Sequence, residues 1–399
     1  MPLKNSHSHY GAVTKTFHWL TALLILTLIP LGIYANGLPY DTSEALAHKA
    51  WMFSLHKSLG VSVFFVALAR ITWAISQPKP GGLHPDRRGE TWVAETVHWL
   101  LYGSLLLVPL SGWVHHAATT GFAPIWWPFG QSLPFVPKSE AVADLTAGLH
   151  IVFERVLALS IFLHFAGAMK HHFVDRDATL RRMWFGVPKV SGALAAQRVA
   201  GPLATALAVW VAAIVIGSSI GVFTRQETSA ATTNLEAVQS DWQVQQGTLE
   251  ILVRQLGSEV SGSFSEWTAS IRFDDSVSEG RAGDVDVTIA IGSLSLGSVT
   301  SQALGSDFFN ATAFPVAHFT ADIVATEQGY EAQGVLTIKD QSVPVTFPFT
   351  LDFNQGVAQM QGTTLLDRRN FAIGDGQKDE GTLGFGVTVN ISLTAARGS

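Results

Sequence analysis

The chain has 399 residues, no cysteine and a formal net charge of −6. The absence of cysteine excludes disulfides, thiol catalysis, iron–sulfur clusters and c-type haem attachment. Residues 1–226 carry 17 basic and 10 acidic side chains, whereas residues 227–399 carry 8 and 21. This asymmetry indicates a membrane part followed by an acidic soluble part, and the acidic half excludes nucleic acid as a partner.

Five apolar runs are long enough to cross a bilayer, which takes about 20 helical residues. They cover residues 17–35, 55–75, 93–115, 146–169 and 201–222. The first run could instead be the core of a signal peptide. Because four further runs follow it, we interpret all five as transmembrane helices.

Loop charges predict how these helices are oriented. Basic residues follow the second run, at Lys79, Arg87 and Arg88, and the fourth, between residues 176 and 198. By the positive-inside rule the N-terminus is cytoplasmic, and everything after the fifth run lies on the outer side.

The second half has the pattern of a β domain. Residues 223–240 are polar and rich in small residues, which is typical of a linker. From Asp241 onward the hydrophobic period is two, as in GVLTIKD (334–340) and VPVTFPFTLDF (343–353). We therefore predict an all-β barrel or sandwich of about 160 residues, with a short helix within 301–312. The expected domains are 1–190, 191–240 (fifth helix and linker) and 241–399.

Four histidines in the apolar runs predict haem ligands. His150 and His164 are fourteen residues apart, so they project from nearly one helix face at two depths about 21 Å apart. His18 and His56 match these depths on other helices and give the pairs His18–His164 and His56–His150. A lone histidine at a helix end is commonly an interfacial residue. Four at two matched depths favour two b-type haems in a helix bundle.

Other charged residues near these levels have two interpretations. Arg70 lies fourteen residues after His56, so it reaches the level of His18 and His164, where it would pair with a haem propionate or snorkel to the interface. Glu154 and Arg155 are expected to pair with each other or with a propionate.

Three further histidines have weaker cases as ligands. His98 has no obvious partner, and solvent would satisfy His115 and His116 at the end of the third run.

Residues 10–186 resemble the bacterial cytochrome b561 family of four-helix di-haem proteins. The matching segments are FHWL (17–20), SLHKSLG (54–60) with Arg70 following, GLH (148–150) and LHFAGAMKHHF (163–173). The resemblance implies the same histidine pairs, haem b, ubiquinone and a bacterial inner membrane. It also implies that some members oxidise superoxide and pass the electron to quinone, with superoxide at the outer haem and His171 lining the inner quinone site.

On that basis, two residues are candidates for chemistry beyond haem ligation. Lys57, with Lys49, lies near His56 on the outer side and would attract a superoxide anion, although ordinary interfacial lysines are the alternative. His171 is a candidate proton donor to quinone because imidazole titrates near neutrality. A cation that suits a helix C-terminus is the alternative for His171.

Residues 241–397 resemble the YceI-like family of lipocalin-like barrels that hold a polyprenyl chain. The matching segments include SDFFNATAFPVAHFTA (306–321) and LLDRRNFAIG (365–374). A small barrel can hold one apolar ligand. The many phenylalanines here would line such a cavity or simply fill the core.

The two halves together predict di-haem electron transfer between an outer donor, such as superoxide, and ubiquinone, with a periplasmic barrel that binds the isoprenoid. The reverse direction of transfer is open, and so is the oligomeric state. The alternative from another class is a lipid carrier whose helices act as anchor or sensor. A histidine-based metal transporter would need carboxylates beside the histidines, and only Glu154 fits.

Overall fold

The computed structural model describes residues 2–128, 130–186, 199–224, 235, 240–327, 329–354 and 356–397. Most of the predicted linker 223–240 lies outside these residues, as do Lys189 and Arg198. The chain forms two compact units, and the first comprises residues 1–37, 52–119 and 124–225. The second comprises residues 38–51, 120–123 and 226–399, so the fifth helix belongs to the helical unit and two short segments of the first half belong to the β unit.

Five helices in the described residues are long and apolar enough to cross a membrane, as predicted. They are α1 (Ala12–Gly37), α2 (Ser43–Ile75), α3 (Arg88–Ala118), α4 (Glu140–Lys170) and, after the short helix α5 (Thr179–Met183), α6 (Ala200–Ser219). The first four extend beyond the predicted apolar runs because polar turns at their ends continue the helix. The last turn of α4 passes into a π-helical turn, His171–Asp175, which carries the predicted proton donor.

The first four helices share one apolar core, and the fifth packs beside it. The core combines buried residues from all four helices: Ile25, Leu28, Val63, Ala67, Leu105 and Leu157. Helix α6 packs through Ala206 against Leu100 of α3 and Val156 of α4. The predicted four-helix bundle with an additional helix is confirmed.

The β unit is one antiparallel sheet of ten strands in the order β3-β4-β6-β7-β8-β9-β10-β1-β2-β5. The strands are β1 (Trp242–Gln255), β2 (Ser258–Phe264), β3 (Trp267–Phe273), β4 (Gly280–Ala290), β5 (Leu294–Ser295), β6 (Val316–Thr326), β7 (Gly329–Ile338), β8 (Gln341–Asn354), β9 (Val357–Asp367) and β10 (Leu383–Arg397). Alternate residues of β8, Val345, Phe347 and Phe349, are buried, as the two-residue period predicts. A short helix α7, Thr300–Leu304, overlaps the start of the segment 301–312 that was predicted to be helical.

The sheet curls until its edge strand β3 approaches the start of β1. Ser240 exchanges hydrogen bonds with the backbone of Ile271, accepting from its N–H at 2.7 Å and donating to its carbonyl at 3.0 Å. The Trp242 indole Nε1 donates to the Phe273 carbonyl at 3.1 Å. These bonds form a seam between β1 and β3 in place of a strand ladder. The predicted barrel is therefore a curled sheet that is closed by a few hydrogen bonds.

Candidate functional sites

His18 on α1 and His164 on α4 face each other inside the helical unit. Their ring centres are 6.1 Å apart and their planes are tilted by 58°. A first-row metal binds an imidazole nitrogen at about 2 Å, and the radius of a five-membered ring is about 1.1 Å. An iron between two such rings would therefore hold their centres about 6.2 Å apart. The observed separation fits a shared axial iron.

His150 on α4 has a fixed orientation. Its Nδ1 lies 2.8 Å from the carbonyl oxygen of Val108 on α3 and can only donate to it. This bond assigns the proton to Nδ1 and leaves Nε2 as the nitrogen with a free lone pair, the usual arrangement of a metal-binding histidine. A Cβ at Gly112, one turn after Val108, would lie 2.9 Å from the same Nδ1. The glycine therefore leaves room for the ring beside the helix backbone.

His56 on α2 repeats this arrangement against α1. The ring interacts with the backbone of Leu28, and a Cβ at Gly32, one turn later, would lie 2.8 Å from the His56 Cε1. The His56 Nδ1 is buried and lies outside hydrogen-bond geometry. His56 and His150 are close enough to interact electrostatically. The ring separation of His18 and His164 suits a shared iron, whereas the pair His56–His150 as haem ligands stays a prediction that their electrostatic contact supports.

Arg70 lies at the level of His18 and His164, as predicted. Its guanidinium stands 5.3 Å from the Tyr102 ring and interacts electrostatically with both histidines. Within the described residues Arg70 makes no salt bridge, so a propionate remains a suitable partner. His98, for which the sequence shows no obvious partner, lies beside His164, with ring centres 5.3 Å apart.

A cluster of two histidines and two carboxylates lies where α4 ends, and we call it the Asp177 cluster. Its members are His84, His171, Asp175 and Asp177, and their ligand atoms lie within 4.8 Å of one another. The Asp177 Oδ2 is 2.7 Å from the His171 Nδ1 and 2.8 Å from the His84 Nε2. The two imidazoles stack with their centres 5.9 Å apart and their planes within 12° of parallel.

Hydrogen bonds stabilise Asp177 as a carboxylate. Partial burial raises its pKa, but the Thr179 backbone N–H, His84 and His171 outweigh burial and hold the pKa well below its usual value. An ionised carboxylate only accepts, so both histidine nitrogens that face it carry hydrogen. Sequence reasoning missed His84 and Asp177 because both lie in loops outside the apolar helices.

The residues around His56 are less exposed to solvent than the sequence suggested. Lys57 is buried, with 7% of its surface exposed, and interacts electrostatically with His56. The expectation that solvent satisfies His115 and His116 is wrong. Both are partly buried, the His115 Nδ1 lies 2.8 Å from the Ala143 carbonyl, and the His116 ring packs on that of His115.

Three other charged residues have partners. Glu154 and Arg155 pair with each other at 3.2 Å, the first of the two arrangements expected for them. Lys49 donates to the Leu38 carbonyl at 2.5 Å and stands over the Tyr40 ring.

The β unit encloses a cavity of about 290 Å³. Its lining is almost entirely apolar and comes from nearly every strand, with Trp242, Phe319, Phe347, Phe349 and Met360 among the larger side chains. The predicted phenylalanines thus divide between a packed core and a cavity wall. Long, narrow apolar molecules suit such a space.

Comparison with known proteins identifies both parts of the chain. Residues 9–186 match the prokaryotic cytochrome b561 family and residues 237–395 match the YceI-like domain. Cytochrome b561 homolog 2 of Escherichia coli is 30% identical over 187 residues, which cover 46% of this chain and 95% of that protein. The probable superoxide oxidase CybB of Yersinia pestis is 25% identical over 187 residues, covering 47% of this chain and 99% of that protein.

Among solved structures, the crystal structure of Burkholderia cenocepacia BcnA aligns with 27% identity and a TM-score of 0.35, covering 38% of this chain and 96% of that chain. The curated relatives span the helical part alone. The chain therefore belongs to the prokaryotic cytochrome b561 family, and its cytochrome b561 domain is followed by a YceI-like domain.

Proposed function

We propose that this protein transfers electrons across a bacterial inner membrane between a donor on the outer side and ubiquinone, using two haem b groups. The observation that carries the proposal is the pair His18 and His164, whose 6.1 Å separation suits one iron. His56 and His150 would hold the second haem, and Arg70 would bind a propionate of the first. When bound, haem b supplies one-electron transfer. Two histidines for each haem would leave no ligand position open to dioxygen, which would favour electron transfer.

His171 would be the proton donor at the ubiquinone site. Reduction of a quinone to a quinol takes up one proton with each electron, so the site needs a proton donor. The Asp177 carboxylate accepts from the His171 Nδ1–H and orients the ring, so that an N–H on Nε2 would be available to the quinone oxygen. His84, bound to the same carboxylate oxygen, would be the neighbouring imidazole through which the proton is replaced.

Lys57 would favour an anionic donor on the side of His56. Its side chain is buried close enough to His56 to interact with it electrostatically, in a medium of low dielectric where a charge would have a large effect. Superoxide is our candidate donor because it is a small anion and because one relative is named a probable superoxide oxidase. By the positive-inside rule, the loop charges favour a periplasmic position for this side and for the β unit.

The YceI-like domain would bind an isoprenoid, and ubiquinone is the candidate that connects it to the redox domain. Its cavity is apolar throughout most of its lining, as a prenyl chain requires. Linkage to the membrane domain would raise the effective concentration of ubiquinone near the electron-transfer site. The same cavity favours a second candidate function, that of a lipid carrier anchored by the helices.

Haem analysis of purified protein, followed by kinetics, tests the proposal. We expect two haems per chain, one in His18→Ala or His150→Ala, and superoxide-dependent reduction of ubiquinone in the native protein alone. A colourless protein from haem-sufficient cells would refute the redox function and leave the carrier. If the haem-loaded protein reduces an outer acceptor with ubiquinol and does not respond to superoxide, electrons flow in the opposite direction, from ubiquinol to the outer side.

A further inference from the structure

Four metal-ligating side chains converge in the Asp177 cluster. Its members, His84, His171, Asp175 and Asp177, each offer one ligand atom, and these atoms lie within 4.8 Å of one another. Asp177 is 2.7 and 2.8 Å from the two imidazoles, and the His171 Nδ1 lies 3.1 Å from the Asp175 Oδ2. Around a tetrahedral ion with bonds of about 2.0 Å, neighbouring ligand atoms are about 3.3 Å apart. Three separations are already close to that value, so side-chain rotations would place all four atoms around one ion.

Each carboxylate turns one oxygen into the cluster while a donor outside the cluster holds the other. The outer oxygen of Asp175 accepts from the Arg87 Nη1 at 2.9 Å, and that of Asp177 accepts from the Thr179 backbone N–H at 2.7 Å. The two carboxylate side chains are only 7% and 11% exposed. Carboxylates that bind metals in proteins are commonly oriented by such outer hydrogen bonds. Both are therefore fixed with an oxygen toward the interior of the cluster.

The charge of the cluster suits a divalent cation. Two carboxylates and two neutral imidazoles carry two negative charges, which one divalent ion balances. The Lys170 Nζ lies 3.0 Å from the inner oxygen of Asp175, yet within the described residues that oxygen forms no hydrogen bond. Lys170 also pairs with Glu90 at 2.7 Å. It would therefore keep an anionic partner if an ion replaced it beside Asp175.

The ligand set selects the class of ion. Imidazole nitrogen together with carboxylate oxygen suits Zn²⁺ and its first-row neighbours, whereas Mg²⁺ and Ca²⁺ prefer oxygen alone. His84 comes from the loop between α2 and α3, and the other three ligands follow α4 within seven residues. An ion here would thus join two separate segments of the helical unit.

We propose that the Asp177 cluster binds one divalent first-row ion, such as Zn²⁺, and that the bound ion inhibits quinone reduction. Each neutral imidazole moves its proton from the nitrogen that faces Asp177 to its other ring nitrogen, and the freed lone pair binds the ion. A metal-bound imidazole has no lone pair left for a second proton, so His171 could no longer pass through the imidazolium form. The inhibition rests on the proposed role of His171, whereas the binding of the ion does not.

Zinc binding to the full-length, haem-loaded protein tests the site. The protein is prepared without a histidine tag and treated with a chelator, and competition with a fluorescent zinc indicator gives the Kd. X-ray absorption at the zinc edge counts the imidazole ligands. His84→Ala and Asp175→Asn each remove one ligand, and Lys170→Met removes the competing cation. His172→Ala, at an exposed position beside the cluster, is the matched control.

We expect one Zn²⁺ per chain with a Kd of about 1 µM or below and two imidazoles on the ion. His84→Ala and Asp175→Asn should each weaken binding at least about tenfold, and His84→Ala should leave one imidazole. Lys170→Met should bind about threefold more tightly, the usual effect of one partly exposed charge pair, and His172→Ala should bind as the native protein does. Zinc should slow ubiquinone reduction with half of its effect near the Kd.

A native protein that binds no zinc at micromolar concentration, or ligand variants that bind it as tightly as the native protein, would overturn the site. The haem spectrum reports whether a variant is folded, and if His84→Ala loses haem then Asp175→Asn decides. Zinc bound at the cluster with quinone reduction at its full rate would refute the inhibition and the proton-donor role of His171, while the site stands. A chain that reduces no ubiquinone even without zinc contradicts the proposed function and leaves the binding result unaffected.

Discussion

The His150 Nδ1 lies 2.8 Å from the Val108 carbonyl, and one turn later Gly112 leaves the space that the ring occupies. His56 is in a related position: its ring interacts with the backbone of Leu28 on α1, and Gly32, one turn later, leaves space for the ring. A glycine one turn after a backbone carbonyl thus accompanies each member of the pair His56–His150.

Gly112→Ala should remove the haem held by His56 and His150. The new Cβ would lie 2.9 Å from the His150 Nδ1, closer than side-chain atoms normally approach, so the ring must move away from Val108. We expect haem content to fall from two groups per chain to one, as measured by the pyridine haemochrome assay. Gly167→Ala on α4, with no atom within 4 Å of its Cβ, is the control. Equal haem in both variants would contradict the assignment.

Asp177→Asn should slow quinone reduction without loss of haem. The neutral amide is a weaker acceptor for the His171 Nδ1–H than the carboxylate, so we expect kcat to fall about tenfold or more, within the range of general acid catalysis. The lowered pKa of Asp177 keeps its carboxylate ionised through the neutral range, and this support is lost only as pH falls through that lowered value. The difference in kcat between the native protein and Asp177→Asn should therefore persist through the neutral and alkaline range.

The readout is the pH profile of kcat for superoxide-driven ubiquinone reduction. Asp177→Glu, which keeps a carboxylate, should restore part of the rate. An Asp177→Glu variant as slow as Asp177→Asn, or equal kcat in the native protein and Asp177→Asn, would contradict the role given to Asp177.

Arg368→Met should destabilise the β unit far more than Arg369→Met. The Arg368 guanidinium donates to five backbone carbonyls, and Arg368→Met leaves all five without this donor. We expect the free energy of unfolding to fall by about 3 kcal/mol or more. Arg369, whose side chain is 54% exposed, pairs with Asp367 at the surface, and its loss should cost less than about 1 kcal/mol. Hydrogen–deuterium exchange over residues 240–397 measures the difference. Similar protection in both variants would contradict the role given to Arg368.

Tyr10 should resist ionisation in alkali. Burial raises its pKa to about 12, although the Arg182 guanidinium 5.6 Å from its ring opposes the effect. The neutral phenol contributes fully to the free energy of unfolding below the ordinary tyrosine pKa of about 10. This contribution is lost as pH rises through about 12. Phenolate absorbance, compared between the native chain and Tyr10→Phe, measures this. A difference between them near pH 10 would disprove it.

Much of the helical unit could be predicted because helical periodicity is a local property. A separation of fourteen residues was enough to place His150 and His164 on nearly one face of α4. The bond of His115 to the Ala143 carbonyl depends instead on how neighbouring helices rotate against each other. Nothing in the sequence indicates that rotation, so the expectation that solvent satisfies His115 was wrong.

The Asp177 cluster and the cavity of the β unit show a second limit. His84 and His171 are far apart in sequence and meet only through the packing of loops. Alternation of residues predicted the strands, but not where the curled sheet would leave an empty space.

The contact between β1 and β3 has a mechanical consequence. Separating two long neighbouring strands elsewhere in the sheet breaks a full ladder of hydrogen bonds. Separating β1 from β3 breaks only the bonds that Ser240 and Trp242 make with the backbone of β3. We therefore expect this seam to open at a lower cost in free energy than any long strand ladder, and an opening here would leave the other strand pairs intact.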